Sequence, residues 1–179
     1  MPVETLIMQH LIPGAILALA ESGFDSNDLR YYLVGIKEQY WLGYPDAGEY
    51  DYFDVRRDLL RYIRLLKPDF VFICDPWLTY EGHRDHIQTG LATSEAVMFA
   101  GLTKIASSDP EVDSAYDGHE INGIAFYFTR EPNVIADISS TWEDKIGALR
   151  CYEAQFTPED MEQLVAVMEI GRASCRERV

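Results

Sequence analysis

Gly82-His83-Arg84-Asp85-His86 places two imidazoles three residues apart with a carboxylate between them. Imidazole is the usual zinc ligand and the usual acid or base near neutral pH. Such a group can supply one metal ligand, one proton-transfer group and a carboxylate to orient it. The same residues also fit a plain polar helix N-terminus, because a two-histidine motif is weak alone. Position favours chemistry. The motif follows the apolar run Phe70-Val71-Phe72-Ile73-Cys74 and Asp75-Pro76, and ligands of open α/β sheets collect beyond the carboxyl ends of the strands.

The elements that must hold this motif alternate. Residues 54–66 read as an amphipathic helix, with Val55, Leu59, Leu60, Ile63 and Leu66 on one face and Arg56, Arg57, Asp58 and Arg64 mostly elsewhere. Pro68 ends it. Residues 70–74 read as a parallel strand covered on both faces. A second helix is expected over 83–100. Residues 4–22 read as a helix broken at Pro13-Gly14, and 39–42 as a short strand. Residues 102–120 read as a polar loop with few packing residues. Further strands are expected over 121–128 and 134–138. Ser140-x-x-Glu143 reads as a capping box opening a helix with Lys145, Leu149 and Tyr152, and Thr157-Pro158-x-Asp160 opens a last one. Strand–helix alternation predicts an α/β domain with a mostly parallel sheet.

Composition narrows the function. The 179 residues carry a net charge of −15, which argues against a nucleic-acid surface or an anionic membrane patch. No secretory signal is expected, since no basic segment precedes the apolar start, and the stretch from Leu6 to Ala20 is too short and too interrupted to span a bilayer. Three cysteines, Cys74, Cys151 and Cys175, suggest no disulfide framework and a reduced, cytoplasmic setting.

Three segments, in order and spacing, resemble the PIG-L/LmbE-like de-N-acetylase family. Gly35-Ile36-Lys37-Glu38 through Leu42-Gly43-Tyr44-Pro45-Asp46 resembles its "LG(V/I)…LGYPDG" segment. Leu59 to Asp75-Pro76, closed by His83-Arg84-Asp85-His86, resembles "I…(K/R)PD-V…DP…HPDH". Asn133 to Gln155 resembles "PN…DI…K…AL..H.SQ". The resemblance implies a Rossmann-like sheet with helices on both faces, a divalent metal, usually zinc, and hydrolysis of the acetamide of an N-acetylglucosamine conjugate. Carried over by position, His86 is a metal ligand, His83 the acid or oxyanion stabiliser, and Asp85 the group that orients His83. Arg84 stands where the family usually has Pro, and Tyr152 where it has His.

The family's remaining ligands and its base come from a His-x-Asp-Asp segment that this chain lacks, since His10 precedes Leu-Ile-Pro and Asp25-Ser26-Asn27-Asp28 has no histidine. The expectation is a deacetylase-like α/β domain over residues 1–169, truncated at its N-terminus and missing its first strand, hence inactive alone and marginally stable. Residues 170–179, with three arginines and one glutamate, read as a translated sequencing adapter and are expected to be foreign to it.

Other candidates have plainer alternatives. Asp75 binds substrate or turns the chain before Pro76. Trp77 stacks on a sugar or packs, and Tyr80 lines the pocket or covers the loop. Trp41 and Trp142 read as packing, His10 as a packed histidine, His119 as solvated, and the acidic run 46–54 as a solvated loop. Three functions follow: a zinc-dependent de-N-acetylase of a small N-acetylated sugar conjugate, possible as a homo-oligomer; a non-catalytic binding remnant of that fold; and a metal phosphohydrolase. The last generally needs a phosphate clamp, and no Gly-rich phosphate loop is present.

Overall fold

The computed structural model describes residues 6–8, 40, 42–45, 47–135, 137–151 and 156–176, with side chains from residue 40 to residue 170. Three strands form one parallel sheet in the order β1-β2-β3: β1 (Leu6–Met8), β2 (Phe70–Cys74) and β3 (Gly123–Tyr127). Leu6 pairs with Phe70, and Phe70 in turn with Gly123, so β2 has a partner along both edges. The expected helix over 4–22 therefore gives way to a strand at 6–8; its other residues lie outside those described. Three apolar residues carry no periodicity of their own, and pairing with β2 decides their state.

Between the strands lie α1 (Tyr52–Leu66), α2 (Arg84–Phe99) and α3 (Pro110–Ala115). Asp51 caps α1 by accepting from the Phe53 and Asp54 amides. Lys67, at φ 47°, and Pro68 end it. The buried stripe of α1 is Val55, Leu59, Leu60 and Ile63, which meets Ala92, Ala96 and Ala100 in one core. Alanines at these positions let two helices approach closely, and the Arg56–Glu95 ion pair at 2.7 Å ties their outer edges. Along β2 burial alternates: Val71 and Ile73 are fully buried, whereas Phe70 and Phe72 each keep 38% exposure.

Arg64 departs from its expected solvent face. It is buried, and its guanidinium donates to the carbonyls of Ala100 (3.2 Å), Phe99 (3.4 Å) and Leu102 (3.1 Å) and to Asp113 (2.6 Å). Two of these carbonyls, those of Phe99 and Ala100, belong to the C-terminus of α2, where cations are favoured. Asp113 lies on α3, inside the segment read as a loop. Asp109 caps α3 by accepting from the Glu111 and Val112 amides, and Pro110 takes its first position. Ile105 and Ile121 also pack on the core. His119, read as solvated, meets the Pro68 carbonyl through Nε2 at 2.9 Å.

The chain forms two compact units. One comprises Met1–Pro13 with Trp41–Val134, and the other Gly14–Tyr40 with Ile135–Val179. In the second unit, a 3-10 turn (Ser139–Thr141) leads into α4 (Trp142–Arg150), and α5 spans Pro158–Arg176. Trp142, Ile146, Met161 and Val165 form its core, so Trp142 is a packing residue as expected. Thr157 caps α5, accepting from the Asp160 amide at 3.2 Å while its hydroxyl donates to the Asp160 carboxylate at 2.7 Å.

Three local expectations fail. The Ser140–Glu143 box does not form: α4 starts after Thr141 without a side-chain cap, and the Asp137 carboxylate instead accepts from the Ser139 amide at 2.9 Å. The described residues of 134–138 are not strand; Val134 and Ile135 are 77% and 92% exposed, with no sheet partner to draw them in. Tyr40 and Leu42 are likewise not in a strand, while Gln39, Trp41 and Tyr152 fall outside the described residues. No described helix is long and apolar enough to cross a membrane.

Candidate active site

The chain leaves β2 at its carboxyl edge through a tight turn. Asp75 donates its amide to the Tyr127 carbonyl, continuing the β2–β3 pairing, and accepts the Trp77 amide on its carboxylate at 2.9 Å. Asp75 thus does the turn-forming work expected before Pro76. The Leu78 amide then donates to the Asp75 carbonyl and the Glu81 amide to the Leu78 carbonyl, which folds residues 75–81 over the strand end. His83 is the N-cap residue of α2 but makes no side-chain cap.

α2 returns onto the end of β2 at Gly90. A Cβ there would meet the Cys74 carbonyl oxygen at 2.8 Å and the Pro76 Cβ at 2.9 Å, so only glycine permits this approach. The Cys74 thiol donates to the His86 carbonyl at 3.2 Å from the same place, and burial pushes that thiol up from its ordinary value. The first turn of α2 is thereby fixed at the sheet edge, where the sequence put it.

Asp85 is buried at 2% exposure. Its carboxylate accepts from the Ala47 amide at 2.9 Å and from the Tyr50 hydroxyl at 2.8 Å. The acidic run before α1 is therefore not simply a solvated loop, because it wraps the motif's central carboxylate. Gly48, at φ +71°, lies against the aliphatic part of Arg84 in the same loop. His83 Nδ1 stands 3.8 Å from Asp85 Oδ2, beyond hydrogen-bond length. That nitrogen is itself buried and has no hydrogen-bond partner among the described residues. Asp85 faces the His83 ring as a buried charge while its own hydrogen bonds go to the 47–50 loop.

Sequence reading missed Glu81. Its Oε1 accepts the His83 amide at 2.7 Å and its Oε2 lies 3.1 Å from His86 Nδ1. The His83 amide and then the His86 ring hold the Glu81 carboxyl below the usual carboxylate range. The two imidazoles stack, with centroids 4.5 Å apart and planes 19° from parallel. They therefore share a face yet answer to different carboxylates.

The other candidates lie farther out. The Trp77 ring meets Phe126 edge-on at 5.4 Å and is 63% exposed. Tyr80, at φ 68°, is 99% exposed and covers nothing. Among the described residues, no three His, Cys, Asp or Glu side chains converge as a metal site requires. His86 Nδ1 is engaged by the Glu81 carboxylate, so of its two ring nitrogens Nε2 is the one a metal would take.

A family model described as PIG-L, GlcNAc-PI de-N-acetylase, matches residues 27–97, a span holding the 47–50 loop, β2 and the histidine motif. Diacetylchitobiose deacetylase of Thermococcus kodakarensis is 41% identical over 132 residues, which are 74% of this chain and 48% of the relative. A solved structure of N,N'-diacetylchitobiose deacetylase from Pyrococcus horikoshii, complexed with its inhibitor MPG, superposes with a TM-score of 0.67 at 37% identity, covering 78% of this chain and 52% of that one. A conserved protein of Thermus thermophilus shares the fold, with a TM-score of 0.62 at 23% identity over 93% of this chain and 70% of that one. The fold is that of a parallel α/β protein similar to these deacetylases. Residues 27–97 match the PIG-L family model, and the chain spans about half the length of the two diacetylchitobiose deacetylases it matches.

Proposed function

We propose that this chain carries the His83–Asp85–His86 part of a metal-dependent de-N-acetylase acting on a chitobiose-type N-acetylated sugar. The observation that carries this reading is the division of the two stacked imidazoles between two carboxylates. His86, bonded to Glu81 through Nδ1, is held as a metal ligand. His83, next to the buried Asp85 charge, is held for proton transfer. The substrate class follows from the two diacetylchitobiose deacetylases that are similar to it.

A bound divalent cation supplies Lewis acidity toward the acetamide carbonyl and lowers the pKa of a hydrolytic water. The chain's own groups do the rest. His83 stabilises the oxyanion that develops on the carbonyl, or delivers a proton to the departing amine as the C–N bond breaks. Asp85 faces the same ring from 3.8 Å as a buried carboxylate. Trp77, Tyr80 and Asp75 are proposed to border the sugar, with the exposed indole face of Trp77 as a stacking surface.

The test is zinc titration of the 179-residue chain together with deacetylation of N,N'-diacetylchitobiose. The expected result is weak zinc uptake that falls at least roughly tenfold in His86→Ala and is retained in His83→Ala, without turnover. The sequence has no His-x-Asp-Asp to supply further ligands and the base. Tight stoichiometric zinc with turnover would show that other carboxylates of this chain complete the centre. Undiminished zinc in His86→Ala would remove that residue from the metal shell and overturn the reading.

A further inference from the structure

Two loops meet at the carboxyl edge of the sheet. Residues 75–81 lead from β2 toward α2, and the chain leaves β3 at Phe128. They join where the Arg130 guanidinium donates to the Thr79 hydroxyl at 3.3 Å. Each loop holds an exposed aromatic residue in the left-handed region, Tyr80 at φ 68° and Phe128 at φ 59°. Bulky residues rarely adopt that conformation, and such strain gathers at ligand sites. Arg130 is set apart by its charge partners. Acidic residues outnumber basic ones 30 to 15 in this chain, and Arg56, Arg57, Arg61, Arg64, Lys67 and Arg150 each hold a carboxylate. Arg130 is exposed and has no carboxylate partner among the described residues. The Thr79 hydroxyl takes one of its five N–H donors. Thr79 stands two residues from Trp77, whose exposed indole packs against Phe126 of β3.

We propose that Arg130, beside Trp77, binds the sugar ring next to the one that reacts, and so gives the site a preference for a disaccharide over a monosaccharide. This rests on the reading of the chain as part of a de-N-acetylase of chitobiose-type sugars. A pyranose presents an apolar face of C–H bonds and a rim of hydroxyl and acetamide oxygens. An indole face suits the first, and a planar guanidinium with its donors in a fixed fork suits the second. An ion pair would compete for those donors. A neutral hydroxyl instead holds the guanidinium in place and leaves its charge uncompensated. The histidine motif follows β2, whereas Arg130 follows β3, the next strand in the sheet. A ligand that reaches both therefore extends along the sheet edge past the 75–81 turn, and a second ring supplies that length.

The test titrates the 179-residue chain with N-acetylglucosamine and with N,N'-diacetylchitobiose by ligand-observed NMR, with a thermal melt of each variant as a control for the fold. The expected result is tighter binding of the disaccharide by the parent chain. Arg130→Ala should lower the disaccharide affinity about tenfold, the scale of a lost hydrogen bond to a charged group, and leave the monosaccharide affinity unchanged. Arg130→Lys keeps the charge but not the fork, and should fall between the two. Thr79→Val removes the junction of the loops but keeps the guanidinium, so it should lose less than Arg130→Ala. Equal losses in Thr79→Val and Arg130→Ala would make Arg130 a staple between loops and overturn the proposal. A disaccharide preference that persists in Arg130→Ala would overturn it too. Both outcomes leave the functional reading intact, because the parent still binds the disaccharide. A parent chain that binds neither sugar would overturn the functional reading and this proposal with it.

Discussion

The two ends of α2 are built on opposite plans. At its C-terminus, one buried cation, Arg64, takes three carbonyls and a carboxylate. At its N-terminus, carboxylates bind backbone amides and a hydroxyl, but His83 keeps a buried ring nitrogen without a hydrogen-bond partner among the described residues. Satisfied buried groups stabilise, and an unsatisfied one costs about 1–3 kcal/mol. One end secures the helix, and the other leaves a buried ring nitrogen of His83 unsatisfied among the described residues.

The sharpest way to break this comparison is Arg64→Met. It keeps much of the aliphatic volume but takes the ion-pair partner from Asp113 and a donor from the carbonyls of Phe99, Ala100 and Leu102. Removing one partner of a buried pair costs about 3–5 kcal/mol, read as a lower urea midpoint, whereas His83→Ala at the other end should cost far less. Equal losses would erase the distinction. Gly90→Ala comes next, at about 1–3 kcal/mol, because its Cβ would strike the Cys74 carbonyl and Pro76. It should also weaken zinc uptake by displacing the first turn of α2. Tyr50→Phe removes one donor to Asp85 and should cost about 1 kcal/mol in the same unfolding measurement.

The smallest effect is one of pH. Burial raises the Asp113 pKa, but hydrogen bonds from Ser107 and Arg64 outweigh it and hold the group below the ordinary carboxylate value. The His83 amide and the His86 ring do the same for Glu81. A folded-state pKa below the unfolded one means that the native state binds fewer protons in acid. The contribution is therefore complete above the ordinary carboxylate pKa of about 4 and is lost as pH falls through the lower folded value. Urea midpoints measured from neutral pH down to acid should fall along this limb. The fall should be shallower in Arg64→Met, which takes one hydrogen-bond partner from Asp113, and in Glu81→Gln, which removes the other carboxylate.

Much of this was legible in the chain because its signals are local. The periodicity of α1, the run of β2, the cap of α5 and the place of His83 and His86 beyond a strand all follow from neighbours within a few residues. What escaped depends on distant partners. Asp85 is held by residues 35 and 38 positions earlier, which no short pattern shows. Arg64 borders the apolar stripe of α1 like any exposed arginine until the end of α2 arrives beside it. The failure at α3 is of another kind: Asp109-Pro110 has the same grammar as Thr157-Pro158, but a six-residue helix offers too little periodicity to draw attention. Val134 to Ile138 had strand-like residues, but none of those described pairs with a strand.

At Gly90 one part of the mount of His83 and His86 is made by contact, an absent methyl group letting a helix rest on a strand end. Contact of that sort carries no charge, so salt does not screen it and protonation does not release it. The contact of α2 with the end of β2 therefore stays in place whatever proton moves under the role proposed for His83.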